Sequence, residues 1–214
     1  IAVFLRSFAY EPFTIPSGSM KPNLLVGDFL FVSKFSYGYS KYSVPYGRYL
    51  PFKGRVFYSE PKRGDIAVFK FPGDNKTDYI KRIIGFPGDT VSIKNGLVFV
   101  NNKELSKLKI GTFEDMHRNG YLEKFDKYQE RNSDGKKYIV LDDKEFDGII
   151  NPNARENIFD VNNTKNYSVP DDHFFVMGDN REHSSDSRIL SQVGYVPKEN
   201  LVGKAALIFL SIEY

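Results

Sequence analysis

Three stretches of this 214-residue chain carry side chains that could do chemistry. In 15–25 (IPSGSMKPNLL), two hydroxyls, Ser17 and Ser19, stand either side of Gly18, with Pro16 and Pro22 flanking them. Proline's fixed φ and missing N–H keep such a segment out of helix interiors and central strands. A hydroxyl on a turn like this can be offered to a substrate while a nearby backbone N–H faces the same point, as an acyl-transfer nucleophile and its oxyanion hole require. Alone, a Ser-Gly-Ser is more often an ordinary turn. In 78–89 (DYIKRIIGFPGD), a strand of period two puts Tyr79, Lys81 and Ile83 on one face and Ile80, Arg82 and Ile84 on the other. Between an aromatic and a branched neighbour the Lys81 ammonium is disfavoured and its pKa lowered, which suits a general base. The ordinary alternative is an edge-strand lysine that snorkels to water. The third stretch, 178–188 (GDNREHSSDSR), follows the apolar run HFFVM. Loops this polar are usually just solvated, but Asp179, Arg181, Asp186 and Arg188 can pair within the loop, fix it, and hold a serine hydroxyl against a base.

Composition narrows the chemistry. There is no cysteine, which removes thiol nucleophiles, thiolate metal sites and disulfides together while leaving the redox compartment open. His117, His173 and His183 lie far apart without ligand spacing, so no metal is expected. Lys plus Arg is 30 against 27 acidic residues, spread along the chain with no basic block, so no nucleic-acid partner is expected.

The elements that must position these residues read as strands. Hydrophobic residues make up 41% of the chain, enough for a packed interior, and its aromatics are all Phe and Tyr, which favour strands. Alternation marks 28–34, 65–71 and 79–86 as strands, with 173–177 and 205–212 later. VSIK-NG-LVFV predicts a hairpin whose Asn95-Gly96 supplies the two positive φ angles of a type I′ turn. The Tyr-, Gly- and Pro-rich stretch 37–62 predicts an extended hairpin or Ω-type excursion. Residues 105–169 are rich in Lys, Asn and Asp and read as an insertion, where Phe113, Met116, Tyr121, Leu122, Phe125 and Tyr128 hint at a short helix interrupted by Gly120. Residues 1–9 are apolar apart from Arg6 and Ser7, too short to span a bilayer, and fit either a fraying first element or the trailing end of a membrane helix.

Taken together, the blocks resemble type I signal peptidase. The nucleophile motif of that family, Ser-x-Ser-Met-x-Pro-x-Leu, matches SGSMKPNL from Ser17. Its Arg-Gly-Asp block matches RGDIAVFKFP from Arg63, its base motif matches KRIIGFPGD from Lys81, and Gly-Asp-Asn-Arg-x-x-Ser-x-Asp-Ser-Arg runs unbroken from Gly178 to Arg188. The blocks keep the family's order and frame most of the chain, leaving only the long hairpin and 105–169 with little likeness.

The resemblance implies a mostly β fold: an all-β antiparallel catalytic core with an inserted second, smaller α+β region. The core would be 10–104 and 170–214, the insertion 105–169 a cap, and 1–9 the remnant of an N-terminal transmembrane anchor. It implies Ser19 as nucleophile and Lys81 as general base, with the Ser19 N–H and Ser17 hydroxyl as oxyanion hole and Ser184 orienting the amine. Arg82, Asp179, Arg181, Asp186 and Arg188 would brace the site by ion pairs. The substrate would be lined by Pro16, Met20, Leu24, Asp78, Tyr79 and Ile80, with small residues at P1 and P3. The implied partners are signal peptides of secretory precursors and a phospholipid bilayer, on the outer side of the bacterial cytoplasmic membrane, with no cofactor. Other Ser chemistries fit less well. A Ser-His-Asp hydrolase using His183 or His173 with Asp179 or Asp172 lacks a G-x-S-x-G elbow. The Ser-x-x-Lys match at Ser133–Lys136 sits in a polar turn. A self-cleaving repressor relative would need a DNA-binding domain before the serine.

Overall fold

The computed structural model describes residues 8–44, 47, 53–116, 120–142 and 160–212. Alternating sequence becomes antiparallel sheet. The strands are β1 (Tyr10–Thr14), β2 (Asp28–Ser33), β3 (Ile66–Lys70), β4 (Asp78–Gly85), β5 (Thr90–Lys94), β6 (Leu97–Val100), β7 (Lys103–Glu104), β8 (Ser106–Met116), β9 (Leu122–Arg131), β10 (Lys137–Asp142), β11 (Tyr167–Ser168), β12 (His173–Met177), β13 (Val196–Pro197) and β14 (Leu201–Ser211). They form a seven-stranded sheet in the order β1-β2-β14-β3-β4-β12-β13, a four-stranded sheet β11-β5-β6-β7 and a three-stranded sheet β10-β9-β8. The fold is mostly β, as expected, and the Asn95-Gly96 hairpin forms with both φ angles positive, at 50° and 73°.

The large sheet is curled. Ile15, Met20 and Leu24 share one apolar cluster with Leu30 and Val32 of β2, Val68 of β3 and Val202 of β14, against which Ile80 of β4 packs. That closure brings the segment after β1 over the start of β4, although the two strands stand four places apart in the sheet. A second cluster joins all three sheets: Ile84, Phe175 and Met177 from the large one, Val91, Ile93, Val98 and Val100 from the four-stranded one, and Tyr128, Tyr138 and Val140 from the inserted one.

The helix hinted at over 113–128 does not form. Phe113 and Met116 lie on β8, Leu122, Phe125 and Tyr128 lie on β9, and Phe113 pairs across the hairpin with Phe125. The three-residue step between buried Phe125 and Tyr128 imitates a helical period, but it coincides with a register shift opposite, between Lys109 and Gly111. Residues 1–7, most of the expected anchor remnant, lie outside the described residues, as does His117. In the 37–62 stretch, Tyr39 and Val56 exchange backbone hydrogen bonds of 2.9 and 2.8 Å.

Candidate active site

The Pro-flanked segment folds into a short 3-10 turn, Gly18–Met20, leading out of β1. It is pinned at its base where Ile15 N–H donates to the Asp28 carbonyl (2.8 Å) and Gly27 N–H to the Ile15 carbonyl (3.0 Å). Met20, fully buried, anchors the turn in the apolar cluster, which leaves Ser19 held against the curled sheet. Lys81 reaches it from β4: its Nζ lies 2.7 Å from Ser19 Oγ and 3.0 Å from the Ile80 carbonyl oxygen. Ser17 Oγ is 3.4 Å from Ser19 Oγ.

Lys81 is 4% exposed, and both hydrogen-bond partners of its amine are neutral oxygens. Burial therefore brings the Lys81 pKa down to about 8, against the opposing pull of Asp186 and Asp179 and with help from Arg188. A neutral lysine can accept the serine proton, so the pair can generate a nucleophile at mildly alkaline pH.

The polar loop 178–188 approaches from the other side. Asn180 N–H donates to the Ser19 carbonyl at 3.1 Å. Gly178 is required by this approach: a Cβ there would lie 2.6 Å from the Ser19 carbonyl oxygen and 2.2 Å from Ser184 Oγ. Arg82 donates through Nε and Nη2 to the two oxygens of Asp179 at 2.7 and 2.6 Å, and Arg188 grips Asp186 at 2.9 and 3.0 Å.

Two expectations change. Arg181 does not pair within its loop; its Nη2 donates at 2.7 Å to Glu130 of β9, because the inserted sheet presents a buried carboxylate there. Ser184 does not complete the expected hydrogen bond to the amine. Its Oγ is buried beside Asp186, helping to lower that carboxyl's pKa without full hydrogen-bond geometry, while Lys81 is turned towards Ser19 and Ile80.

The expected lining residues divide by burial. Met20 and Leu24 are buried, Pro16 and Asp78 are exposed, and Tyr79 and Ile80 are half-buried. Asp78 is held by Lys70 at 2.8 Å, and Tyr79 stacks on Phe71 with 4.9 Å between centroids. Beside them runs free backbone: β12 pairs with β4 only at Arg82, Ile83 and Gly85, so 78–81 has β3 on one side and, among the described strands, nothing on the other. The outer edge of β1 is open in the same way. Asn23 was not anticipated; its Nδ2 donates to Asp179 at 2.7 Å and to the Ile139 carbonyl at 2.6 Å. Its place within the Ser-x-Ser-Met-x-Pro-x-Leu block was the only sequence signal, whereas nothing in the sequence connects Glu130 to Arg181.

Competing groups are engaged elsewhere. His183 packs edge-on against Phe125 and lies 3.8 Å from Glu123, and His173 Nδ1 lies 2.7 Å from the Asp171 carbonyl oxygen. The Ser133–Lys136 match is the β9–β10 turn, with Lys136 paired to Asp65.

The family model described as "Signal peptidase, peptidase S26" matches residues 1–210. The chain belongs to this family. It is 41% identical over 212 residues to a signal peptidase I of Rickettsia typhi, covering 99% of this chain and 76% of that one. Against signal peptidase I of Rickettsia canadensis and of Rickettsia felis the identities are 39% and 40%, over 99% of this chain and 76% and 75% of theirs. A solved signal peptidase I from Enterococcus faecalis V583 aligns with a TM-score of 0.38 and 23% identity, covering 69% of this chain and 98% of that one, a likeness too low to bear weight. This signal peptidase family member is a serine endopeptidase, and its reaction is the removal of signal peptides.

Proposed function

We propose that the chain cleaves signal peptides with Ser19 as nucleophile and neutral Lys81 as general base. The observation that carries this reading is the 2.7 Å contact between Lys81 Nζ and Ser19 Oγ, made by an amine whose other hydrogen bond also goes to a neutral oxygen. In the reactive state the Ser19 O–H donates to the amine. Lys81 takes the proton as Oγ attacks the scissile carbonyl, and the ammonium returns it to the leaving amine. The Ser19 N–H and the Ser17 hydroxyl stabilise the oxyanion. A water activated by Lys81 then hydrolyses the acyl-enzyme.

The substrate enters extended, adding a strand between the open edge of β1 and the open edge of 78–81. Pro16 and the Asp78 to Ile80 backbone flank it. Buried Met20 and Leu24 make the pocket floor shallow, which selects small side chains at P1 and P3.

Among the described residues no helix is long and apolar enough to cross a membrane. The end of β14 nonetheless exposes Leu207, Ile208, Phe209 and Leu210, followed by Ile212 just beyond it. Phe209 stacks on Phe31 at 4.3 Å, and Tyr10 and Phe35 extend the apolar surface. A patch of this kind fits a phospholipid bilayer, on the outer side of the bacterial cytoplasmic membrane where signal peptides emerge.

The test is a pH profile on a signal-sequence peptide. The value of kcat/KM should rise with pH through about 8, the Lys81 value, and the limb should persist in His173→Ala and His183→Ala. Ser19→Ala and Lys81→Met should be inactive. A histidine variant that loses the limb while Lys81→Met still turns over would replace the dyad with a histidine-based triad.

A further inference from the structure

A carboxylate placed in an apolar interior away from water is unfavourable unless something specific holds it. Glu130 is such a group. It is 0% exposed, on the central strand of the inserted sheet, opposite Tyr138 of β10 and Lys107 of β8. Burial pushes its carboxyl up, but the Arg181 charge and the hydrogen bonds from Arg181 and Tyr138 overcome that and hold its pKa below the ordinary value. Both bonds converge on Oε1, from Arg181 Nη2 at 2.7 Å and Tyr138 OH at 2.6 Å. Replacing a buried ion pair by apolar side chains of similar size is often neutral or stabilising, so stability alone does not account for the pair.

That reason lies in what Arg181 belongs to. Residues 179–181 run alongside the end of β10: Leu141 N–H donates to the Asp179 carbonyl at 2.8 Å, and Arg181 N–H donates to the Leu141 carbonyl at 3.0 Å. Asn180, between them, makes a parallel bridge with Leu141 and turns its N–H to the Ser19 carbonyl at 3.1 Å. Residues 179–181 thus lie between the inserted sheet and the nucleophile's backbone and are hydrogen-bonded to both. Arg188 Nη2 also donates to the Arg181 carbonyl, tying the far end of the loop to the same residue. A second route runs through the Tyr138 ring, over which the Arg82 guanidinium stacks at 4.1 Å while gripping Asp179.

We propose that Glu130 is a positioning residue for the catalytic centre: by fixing Arg181 it sets where residues 179–181, and through Asn180 the Ser19 turn, stand against Lys81. The proposal rests on Ser19 being the nucleophile. It gives the inserted sheet a part in the chemistry from a residue that touches neither substrate nor the reacting atoms. Displacements of about 1 Å at a reacting group change rates by up to about 10²-fold, so a small shift of the loop is enough.

The experiment compares kcat, KM and thermal midpoint for the whole chain carrying Glu130→Gln, and for the double variant Glu130→Met with Arg181→Met, on a signal-sequence peptide. Glu130→Gln should lower kcat by about 10- to 100-fold with KM little changed. The double variant replaces the pair by apolar side chains, so its thermal midpoint should recover towards wild type while kcat stays low. Wild-type kcat in Glu130→Gln, or kcat returning together with the thermal midpoint in the double variant, would overturn the positioning role and leave the pair structural. If Glu130→Gln does not fold, the double variant decides alone, by whether its kcat is low or normal. Residual turnover by Ser19→Ala would instead strike the underlying dyad, which keeps the two failures apart.

Discussion

Lys81 and Arg82 are consecutive residues of β4, both cationic in water and both buried, at 4% and 3% exposure. They point to opposite faces of the strand and meet opposite fates. On one face, Lys81 finds only neutral oxygens within hydrogen-bonding distance, and burial drops its pKa to about 8. On the other, burial also opposes the charge on Arg82, but Asp179 meets it with two charge-assisted hydrogen bonds, and its pKa is raised. Both cations feel Asp179, yet only Arg82 touches it. A buried cation stays charged when a carboxylate is in direct contact; a carboxylate acting through space only slows its neutralisation. The same strand therefore carries the proposed base on one side and a brace on the other.

The contrast can be broken first at the brace. Arg82→Met should destabilise the fold by about 3–5 kcal/mol, because Asp179 is left buried and charged with Asn23 as its remaining side-chain donor. Urea unfolding at neutral pH measures this, and an unchanged midpoint would mean the pair contributes nothing to the folded state.

Next in size comes Lys81. The folded pKa of Lys81, about 8, lies below the 10.5 of an ordinary lysine. Between those values the unfolded chain binds the proton and the folded one does not, so this group's contribution to stability rises with pH across the window. It is fully present above about 10.5 and lost as pH falls through 8, by on the order of 3 kcal/mol. Lys81→Met removes that slope. The stability difference between wild type and variant, from unfolding at several pH values between 8 and 10.5, should therefore drift in favour of wild type as pH rises. A flat difference would show that the amine is not strained by burial.

The smallest effect belongs to an ion pair with a similar contact distance on the exposed surface. Lys124 Nζ lies 2.7 Å from Glu114 across β8 and β9, with side chains 62% and 52% exposed. Water screens it, so Lys124→Ala should shift stability by less than about 1 kcal/mol. A loss as large as that of Arg82→Met would mean that contact distance, and not burial, sets the strength of these pairs.

Legibility in the sequence followed the range of the forces involved. Strand alternation in β2, β3 and β4 and the Asn95-Gly96 turn depend on a few neighbouring residues, and these elements formed where the pattern put them. The hairpin of β8 and β9 was misread as a helix because a register irregularity made its apolar spacing resemble a helical period. The three candidate segments stood out by residue type and by their resemblance to the family's motifs, and the fold brings Ser19 and Lys81 within hydrogen-bond distance. Partner choice was less readable. Arg181 had acidic neighbours along the chain and took Glu130 instead, and Ser184 had the right position in the motif without making the expected bond.

Residue types narrowed the chemistry, by removing thiols and offering a hydroxyl on a Pro-flanked turn and a strand lysine with apolar neighbours, and the order of the blocks, through its resemblance to type I signal peptidase, singled out the class. They determined the β character as well, since alternation is a local steric pattern. Tertiary structure alone decided that the large sheet curls until the segment after β1 meets β4, leaving Lys81 without a touching carboxylate while Arg82 has one. It also decided that a glutamate 51 residues away in sequence, on an inserted strand, holds Arg181 of the polar loop 178–188. The physical reason is common to both. Desolvation and ion pairing depend on what lies within a few ångströms once the chain has closed, and for residues so far apart that distance is set by how the sheets pack.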